Sequence, residues 1–327
     1  MSASPSSFAR TAPRRPSPAR HPAVRRVRAA LSAGVSLPVA AALVLAGAPT
    51  ASSVGAHGKA GAHGEAGAHG KAEAVARYVA LGDSYTSGPG IPEQTDENCG
   101  RSDHNYPTLV TAALAPGTFA DASCGGATTA EMTAPQGTAP PQFDALNEST
   151  DLVTVGIGGN DIGFGGIVAR CVLLGALVPN GAPCKASYSL GGSDELAARI
   201  EATATKIDEV LRGIQDRSPG ARVLVVGYPA LLPEDGSNCP RTVSLASGDA
   251  PWLRDTEKRL NSMLAERAEA SGAEYVDTYT GSVGHDLCKP VGTRWAEPLQ
   301  AVDAAGFHPN AAGHQAMSQA VLAAVRR

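Results

Sequence analysis

Aromatic and charged residues are both scarce in this sequence. Phe, Trp and Tyr together make up 4% of the 327 residues, and charged residues make up 18%. With so few large rings and with 37 glycines, we expect an interior of small and branched side chains and many tight turns. Hydrophobic residues still reach 43%, which excludes a wholly disordered chain. The length allows one large domain or two ordinary ones.

Acidic residues and lysine are absent from residues 1–56, which contain seven arginines. Residues 57–327 therefore carry 20 positive and 31 negative charges, a net charge of −11. Because nucleic acids are bound mainly through basic surfaces, this acidic body argues against nucleic acid as the main partner. The sequence contains no basic stripe that would offset it.

Residues 1–56 have the pattern of a signal peptide. Six arginines at 14–28 precede an apolar stretch of small residues at 29–46, which a proline interrupts. A permanent membrane span takes about 20 strongly apolar residues, so a span is disfavoured. Small residues permit cleavage after Ala51 or Ala56, and we expect a secreted protein. Sec and twin-arginine export both stay open, and a basic tail on a cytosolic protein is the weaker alternative.

Residues 57–75 predict a low-complexity Gly/Ala/His linker. A six-residue unit, Gly-Ala-His-Gly-Lys/Glu-Ala, occurs three times in residues 55–72. Such a tract buries too little apolar area to offset its chain entropy, so a flexible spacer is expected. Its histidines, His57, His63 and His69, offer a weak transition-metal site as the alternative.

From residue 76 to residue 327, short apolar runs alternate with helical patterns. The runs that predict strands are 78–81, 152–157, 223–226 and 274–277, and the predicted helices are 106–114, 193–214, 251–270 and 311–325. Apolar strands separated by helices predict an α/β fold with a parallel sheet covered on both faces. Ligands of such sheets bind beyond the carboxyl ends of the strands. The apolar run at 172–178 either shapes a binding pocket or is a covered helix.

Polar clusters follow the predicted strands where chemistry is expected. Ser84 comes directly after the first strand, but a serine hydroxyl is a weak nucleophile and needs a base. His308, just ahead of the last helix, is the candidate base. Acyl transfer also needs donors for the developing oxyanion. The Gly-rich turn at 124–127 offers backbone N–H groups and Asn160 offers a side-chain amide.

Four segments of the chain resemble the four sequence blocks of the GDSL, or SGNH, hydrolase family. They are YVALGDSYTSG at 78–88, CGGAT at 124–128, VGIGGNDIGF at 155–164 and FHPNAAG at 307–313. The resemblance covers residues 77–327 and is closest to secreted lipases and esterases of actinomycetes. It implies a three-layer α/β/α sandwich with a small, flavodoxin-like parallel sheet, as an SGNH hydrolase domain at 76–327. No Gly-x-Ser-x-Gly is present, so the nucleophile elbow of α/β-hydrolases is not expected.

The resemblance also implies a role for each site residue. Ser84 is the expected nucleophile, and its N–H, the N–H of Gly126 and the Asn160 side chain form the expected oxyanion hole. His308 is the expected general base that then protonates the leaving alcohol. This chemistry requires no metal and no organic cofactor.

One position departs from the common family pattern of Asp three residues before the histidine. Here that position is Ala305, and the nearest acid is Asp303. Some secreted actinomycete relatives use a Ser-His dyad in which a backbone carbonyl orients the imidazole. The loop resembles that variant, with the carbonyl of Ala305 or Gly306 as candidate. Asp303 as a third catalytic residue is the alternative.

Six cysteines in an exported chain suggest three disulfides, with fifteen pairings possible. No Cys-x-x-Cys occurs, which disfavours zinc. The family resemblance implies pairing of sequence neighbours: Cys99–Cys124, Cys171–Cys184 and Cys239–Cys288.

The sequence therefore predicts a secreted serine esterase or lipase that hydrolyses carboxylic esters through an acyl-enzyme on Ser84. Its expected partner is a small-molecule or lipid ester, with at most transient contact with lipid surfaces, and a monomer is expected. Phospholipase A activity and polysaccharide deacetylation on the same fold stay open. So does an exported binding protein without turnover, although such a protein has no need of all four site residues.

Overall fold

Residues 75–327 are described by a computed structural model. The predicted signal peptide at 1–56 and all but the last residue of the predicted linker lie outside the described residues. The strands within 75–327 are β1 (Arg77–Gly82), β2 (Gln94–Asp96), β3 (Arg101–Ser102), β4 (Thr118–Asp121), β5 (Leu152–Gly156), β6 (Arg222–Val226) and β7 (Glu274–Val276).

Helices fill most of the remaining chain. The α-helices within 75–327 are α1 (Ser84–Ser87), α2 (Tyr106–Leu114), α3 (Phe164–Leu177), α4 (Pro183–Tyr188), α5 (Glu195–Arg217), α6 (Pro240–Val243), α7 (Asp249–Ala270), α8 (Tyr279–Ser282) and α9 (Ala311–Val325). Short 3₁₀-helices lie at Thr129–Met132, Gln142–Ala145 and Leu190–Gly192. None of the helices in this part of the chain has both the length and the apolar character needed to cross a bilayer.

Five strands pair in parallel in the order β4-β1-β5-β6-β7, while β2 and β3 form a separate antiparallel pair. Taken in chain order, the parallel strands are arranged 2-1-3-4-5, which is the flavodoxin-like order. Gly82, the last residue of β1, lies opposite Gly156, the last residue of β5. The segments that follow these two strands therefore leave the sheet side by side, at the switch point where ligands of this fold bind.

Two separate cores cover the two faces of the sheet. On β1, Val79 and Leu81 pack into one core, which also contains the inner faces of α5 and α7. Tyr78 and Ala80 alternate with them and pack into the other core, against α2 and α9. Because adjacent side chains of a strand point to opposite faces, a strand buried on both sides is apolar throughout. The predicted three-layer α/β/α sandwich is confirmed.

The structure differs from the sequence-based expectation at one parallel strand and at the ends of two helices, since α5 ends at Arg217 and not at 214, and α7 begins at Asp249 and not at 251. Strand β4, Thr-Phe-Ala-Asp in sequence, is not among the predicted strands. It is an edge strand that pairs only with β1, and its residues are exposed or half-buried. Helix α5 begins after Asp194, whose carboxylate accepts the Ala197 N–H at 3.0 Å, and not at Ser193.

The six cysteines form the three pairs that the family resemblance implies, namely Cys99–Cys124, Cys171–Cys184 and Cys239–Cys288. The first pair also fixes a turn near the sheet edge, because the Gly125 N–H donates to the Cys99 carbonyl at 2.8 Å. The second pair joins α3 to α4.

We expect the Cys239–Cys288 bridge to stabilise the fold most and the Cys171–Cys184 bridge least. The bridged residues are 49, 25 and 13 positions apart for Cys239–Cys288, Cys99–Cys124 and Cys171–Cys184. In the chain-entropy model, loops of these lengths contribute about 4, about 3.5 and about 3 kcal/mol. Urea unfolding of three Cys→Ser double variants measures each loss. The reverse order of losses would contradict the entropic account.

Candidate active site

Ser84 is held at the first position of α1, directly beyond the end of β1. The Asp83 N–H donates to the Gly156 carbonyl at 2.9 Å, which ties this turn to β5. The Asp83 carboxylate caps α1 by accepting the Tyr85 N–H at 2.9 Å. Gly82 has a φ of +151°, and a Cβ there would lie 2.6 Å from the Gly156 carbonyl oxygen. This turn therefore requires glycine before the aspartate and the serine.

His308 lies against Ser84 with both ring nitrogens engaged. Its Nε2 is 2.8 Å from the Ser84 Oγ, and its Nδ1 is 2.8 Å from the Gly306 carbonyl oxygen. A carbonyl only accepts, so Nδ1 carries the hydrogen and Nε2 presents its lone pair to the serine hydroxyl. Burial lowers the pKa of His308, and the Gly306 carbonyl partly opposes this shift. The imidazole is thus mainly neutral near pH 7, as a general base must be.

Asp303 does not take part in this arrangement. Its side chain is exposed and makes no hydrogen bond with any other group in residues 75–327. The carbonyl of Gly306, one of the two backbone candidates, occupies the position next to Nδ1. The loop reaches this shape with Phe307 in the left-handed region at a φ of +60°.

The histidine loop is fastened by residues that the sequence pattern did not identify. The Tyr85 hydroxyl donates to the Phe307 carbonyl at 2.6 Å. The Phe307 N–H donates to the Glu297 carbonyl at 2.7 Å, and the Glu297 N–H donates to the His308 carbonyl at 2.9 Å. The Glu297 carboxylate is buried and paired with Arg294 at 2.6 Å. A buried pair of this kind holds the loop, because removal of one partner would leave an uncompensated charge.

The candidate oxyanion donors come from three separate segments. The Asn160 Nδ2 donates to the Ala127 carbonyl at 2.9 Å, which joins the loop after β5 to the turn that contains Gly126. The N–H groups of Ser84 and Gly126 donate to no other protein group in the part of the chain that the structure describes. They remain available for a negative charge that develops on a substrate.

Asp161 has a structural role next to Asn160. Its carboxylate accepts the Thr129 N–H at 3.0 Å and the Thr129 hydroxyl at 2.7 Å, and it pairs with Lys206 at 3.1 Å. These contacts hold the loop after β5 against the segment that follows Gly126. The position of the Asn160 loop relative to the Gly126 turn thus depends on Asp161, which forms no hydrogen bond with Ser84 or His308.

Tyr228, which is also missing from the sequence-based prediction, links the Ser84 turn to the Asn160 loop. Its hydroxyl donates to the Asp83 carboxylate at 2.6 Å and accepts the Gly159 N–H at 2.8 Å. Burial raises the pKa of Asp83 to about 7, and the Tyr228 hydrogen bond opposes this rise. Tyr228 follows β6 at the carboxyl edge of the sheet, which was the one available signal for it.

Comparison with known proteins identifies the family of this chain. The model of the GDSL-like lipase/acylhydrolase family matches residues 80–316. Lipase 2 of Streptomyces coelicolor is 41% identical over 250 residues, which cover 74% of this chain and 83% of that protein.

Two solved structures are similar over almost their full length. The phospholipase A1 of Streptomyces albidoflavus superposes with a TM-score of 0.64 and 32% identity, covering 77% of this chain and 99% of that chain. The extracellular lipase of Streptomyces rimosus superposes with a TM-score of 0.63 and 31% identity, covering 76% and 99%. The chain belongs to the GDSL-like lipase/acylhydrolase family. The predicted family and the predicted class of enzyme, carboxylic ester hydrolase, are confirmed.

An apolar pocket opens beside the serine of this GDSL-like hydrolase. Ser84 and Asn160 line it together with side chains of α3, of α7 and of the segment after β6. The apolar lining residues are Ile162, Phe164, Ile167, Val168, Leu231, Leu232, Leu245, Leu253, Leu260, Leu287 and Phe307.

Glu257 is the one acid on α7 that lines this pocket. Its carboxyl accepts the Leu231 N–H at 3.3 Å. Burial, together with the nearby Glu234, raises the pKa of Glu257 to about 8, and the hydrogen bond from Leu231 partly opposes this rise. The carboxyl is therefore mainly neutral at pH 7, and the pocket wall acquires a negative charge as the pH rises above about 8.

We expect the preference for long acyl chains to fall at alkaline pH. An ionised Glu257 disfavours apolar groups in the pocket, so the kcat/KM ratio of p-nitrophenyl decanoate to acetate should drop about tenfold between about pH 7 and pH 9.5. Titration of His308 affects both esters alike and cancels in this ratio. In Glu257→Gln the ratio should stay constant within about twofold. An equal drop in that variant would assign the effect to another group.

Proposed function

We propose that this GDSL-like hydrolase is a secreted serine esterase or lipase that cleaves carboxylic esters through an acyl-enzyme on Ser84. The observation that carries the proposal is the chain of contacts from the Gly306 carbonyl to His308 Nδ1 and from His308 Nε2 to the Ser84 hydroxyl, each 2.8 Å long. It ends beside a pocket with an apolar wall, as an acyl chain requires.

The acylation step uses these groups in order. As the Ser84 Oγ attacks the ester carbonyl carbon, His308 Nε2 takes the hydroxyl proton. The resulting tetrahedral oxyanion accepts hydrogen bonds from the N–H groups of Ser84 and Gly126 and from the Asn160 amide. His308 then passes its proton to the leaving alkoxide oxygen, and an alcohol departs.

The deacylation step repeats this sequence with water. His308 Nε2 takes a proton from a water molecule as its oxygen attacks the acyl-enzyme carbonyl. Collapse of the second tetrahedral intermediate breaks the bond to Ser84 Oγ, which regains the proton from His308. The net reaction consumes one ester and one water and yields one alcohol and one acid. While His308 is protonated, its Nδ1–H donates to the Gly306 carbonyl. The carbonyl dipole then stabilises the positive charge of the imidazolium.

A lipid ester is the substrate class that the pocket supports best. Its wall is almost wholly apolar and is formed by side chains of α3, of α7 and of the segment after β6, which suits an acyl chain. Hydrolysis of a phospholipid acyl ester is the second candidate, supported by the 32% identity to a phospholipase A1. Polysaccharide deacetylation has less support, because a sugar would face few polar partners in this wall.

Substitutions at the catalytic loop distinguish a dyad from a triad. Ser84→Ala and His308→Ala should each abolish turnover, and Asn160→Ala should lower kcat about 10²- to 10³-fold through loss of one oxyanion donor. Asp303→Asn should keep kcat within about tenfold, a barrier change of about 1.4 kcal/mol, because a backbone carbonyl orients the imidazole. Steady-state kinetics on p-nitrophenyl butyrate measure all four.

Asp303→Asn should also have the same thermal unfolding midpoint as the parent protein. An unchanged midpoint shows that a loss of activity in this variant is not caused by unfolding. A drop of about 10³-fold or more in the folded variant, similar to that of a triad knockout, would make Asp303 the third catalytic residue.

Export is supported by the pattern of residues 1–56 and by the three disulfides, which persist in oxidising compartments. A related lipase of Streptomyces rimosus is described as extracellular. We expect the mature protein to begin between Ala51 and His57. N-terminal sequencing of the secreted protein checks this, and a secreted chain that still contains Arg14 or Arg25 would contradict it.

A further inference from the structure

The longest acid-free stretch near the site runs from 162 to 193, between Asp161 and Asp194. Its two charged residues are Arg170 and Lys185, both exposed cations. The body of the chain, by contrast, has 31 acids in residues 57–327 and a net charge of −11. The stretch contains α3, α4 and the short helix after them. Its net charge is positive, whereas that of the body is negative.

Large apolar side chains are exposed on this same stretch. Leu173, Leu177 and Leu190 are 61%, 70% and 75% exposed, and Val178 is 49% exposed. Leu173 and Leu177 are four positions apart on α3 and therefore lie on one face of the helix. The sequence run at 172–178 is thus not a pocket wall, and it is a helix covered on one side only, where Val172 and Leu174 pack half-buried against the core. Its outer face is in contact with solvent.

This apolar face belongs to a firmly packed helix. Gly175 lies so close to the segment after α6 that a Cβ there would be 2.2 Å from the Ser244 carbonyl oxygen. The Cys171–Cys184 bridge fixes the middle of α3 to α4. Because the helix is fixed on its inner side, Leu173 and Leu177 remain exposed to solvent and cannot rotate into the core.

The same helix reaches the active site at its other end. Phe164, its first residue, has its ring centroid 6.3 Å from that of His308, and Ile167 and Val168 line the pocket. At 1.5 Å per residue, Leu173 is about 14 Å along the axis from Phe164. A helix of 14 residues is too short to span a bilayer of about 30 Å, but it can lie on one.

We propose that the surface formed by Leu173, Leu177, Val178 and Leu190, with Arg170 and Lys185, docks the enzyme onto an anionic lipid surface. Exposed apolar side chains with cations and no acids are the pattern of helices that rest in the lipid interface. The cations attract anionic headgroups, while the negative charge of the body keeps other faces away. The proposal rests on the proposed function, since α3 would then connect the lipid surface to the acyl pocket.

Vesicle binding tests this surface separately from catalysis. The full chain with Ser84→Ala is mixed with vesicles of phosphatidylcholine, with or without phosphatidylglycerol, and the bound fraction is measured by sedimentation. Leu173→Ser/Leu177→Ser should weaken binding at least about tenfold. The matched control, Val283→Ser/Val291→Ser, removes two exposed apolar side chains elsewhere and should stay within about twofold. Arg170→Gln/Lys185→Gln should weaken binding only to the anionic vesicles, and about 0.5 M salt should abolish that difference.

Hydrolysis of soluble p-nitrophenyl acetate by the same variants with Ser84 restored should match the parent within about twofold, which shows that the fold and site are intact. Absent hydrolysis with normal vesicle binding would refute the proposed function and leave the docking surface standing. Equal binding by the leucine variant and the control would overturn the docking proposal, as would a parent that binds no vesicles. A dimer that the leucine variant dissociates, seen by light scattering, would also overturn it and assign the surface to contact between two copies.

Discussion

The hydrogen bond from His308 Nδ1 to the Gly306 carbonyl is the contact on which the candidate site depends. A carbonyl has no charge to lose or gain and cannot move independently of the backbone, so the direction of the imidazole is decided by the shape of the loop. That shape depends on Phe307 in the left-handed region and on the bonds that Glu297 and Tyr85 make with the loop. In a Ser-His-Asp enzyme a side chain performs this work. Here the imidazole of His308 is oriented by main-chain contacts and by one buried ion pair.

A second constraint is the low polarity around the reacting atoms. Burial lowers the pKa of His308 and raises the pKa values of Asp83 and Glu257, so each group favours its neutral form. In the proposed mechanism, a site with few fixed charges leaves the candidate oxyanion donors as the main source of electrostatic stabilisation for a charged intermediate. It also leaves the pocket beside Ser84 apolar, which suits an acyl chain better than a sugar.

Much of the fold followed from local patterns. Apolar runs of four to six residues located β1, β5 and β6, and helix signals gave the bounds of α2 and α9 as the structure has them. The two edge strands are half-buried and less apolar, and of these β7 was predicted and β4 was not. The outer face of α3 was ambiguous for the opposite reason. An apolar run predicts burial, and whether a run is covered depends on what packs on it.

The sequence by itself determined the order of the elements and the residue types at the strand ends, and with the family resemblance it gave Ser84, Asn160 and His308 as the candidate site residues. These features depend on short-range patterns, which a linear chain displays directly. Only the tertiary structure decided that Gly306 and not Asp303 lies next to His308 Nδ1, and that Tyr228, 145 positions from Asp83, joins two loops of the site. Those contacts depend on loop curvature and on which strands are neighbours in the sheet. Neither is encoded in the spacing of residues, because both arise when β1, β5 and β6 pair side by side.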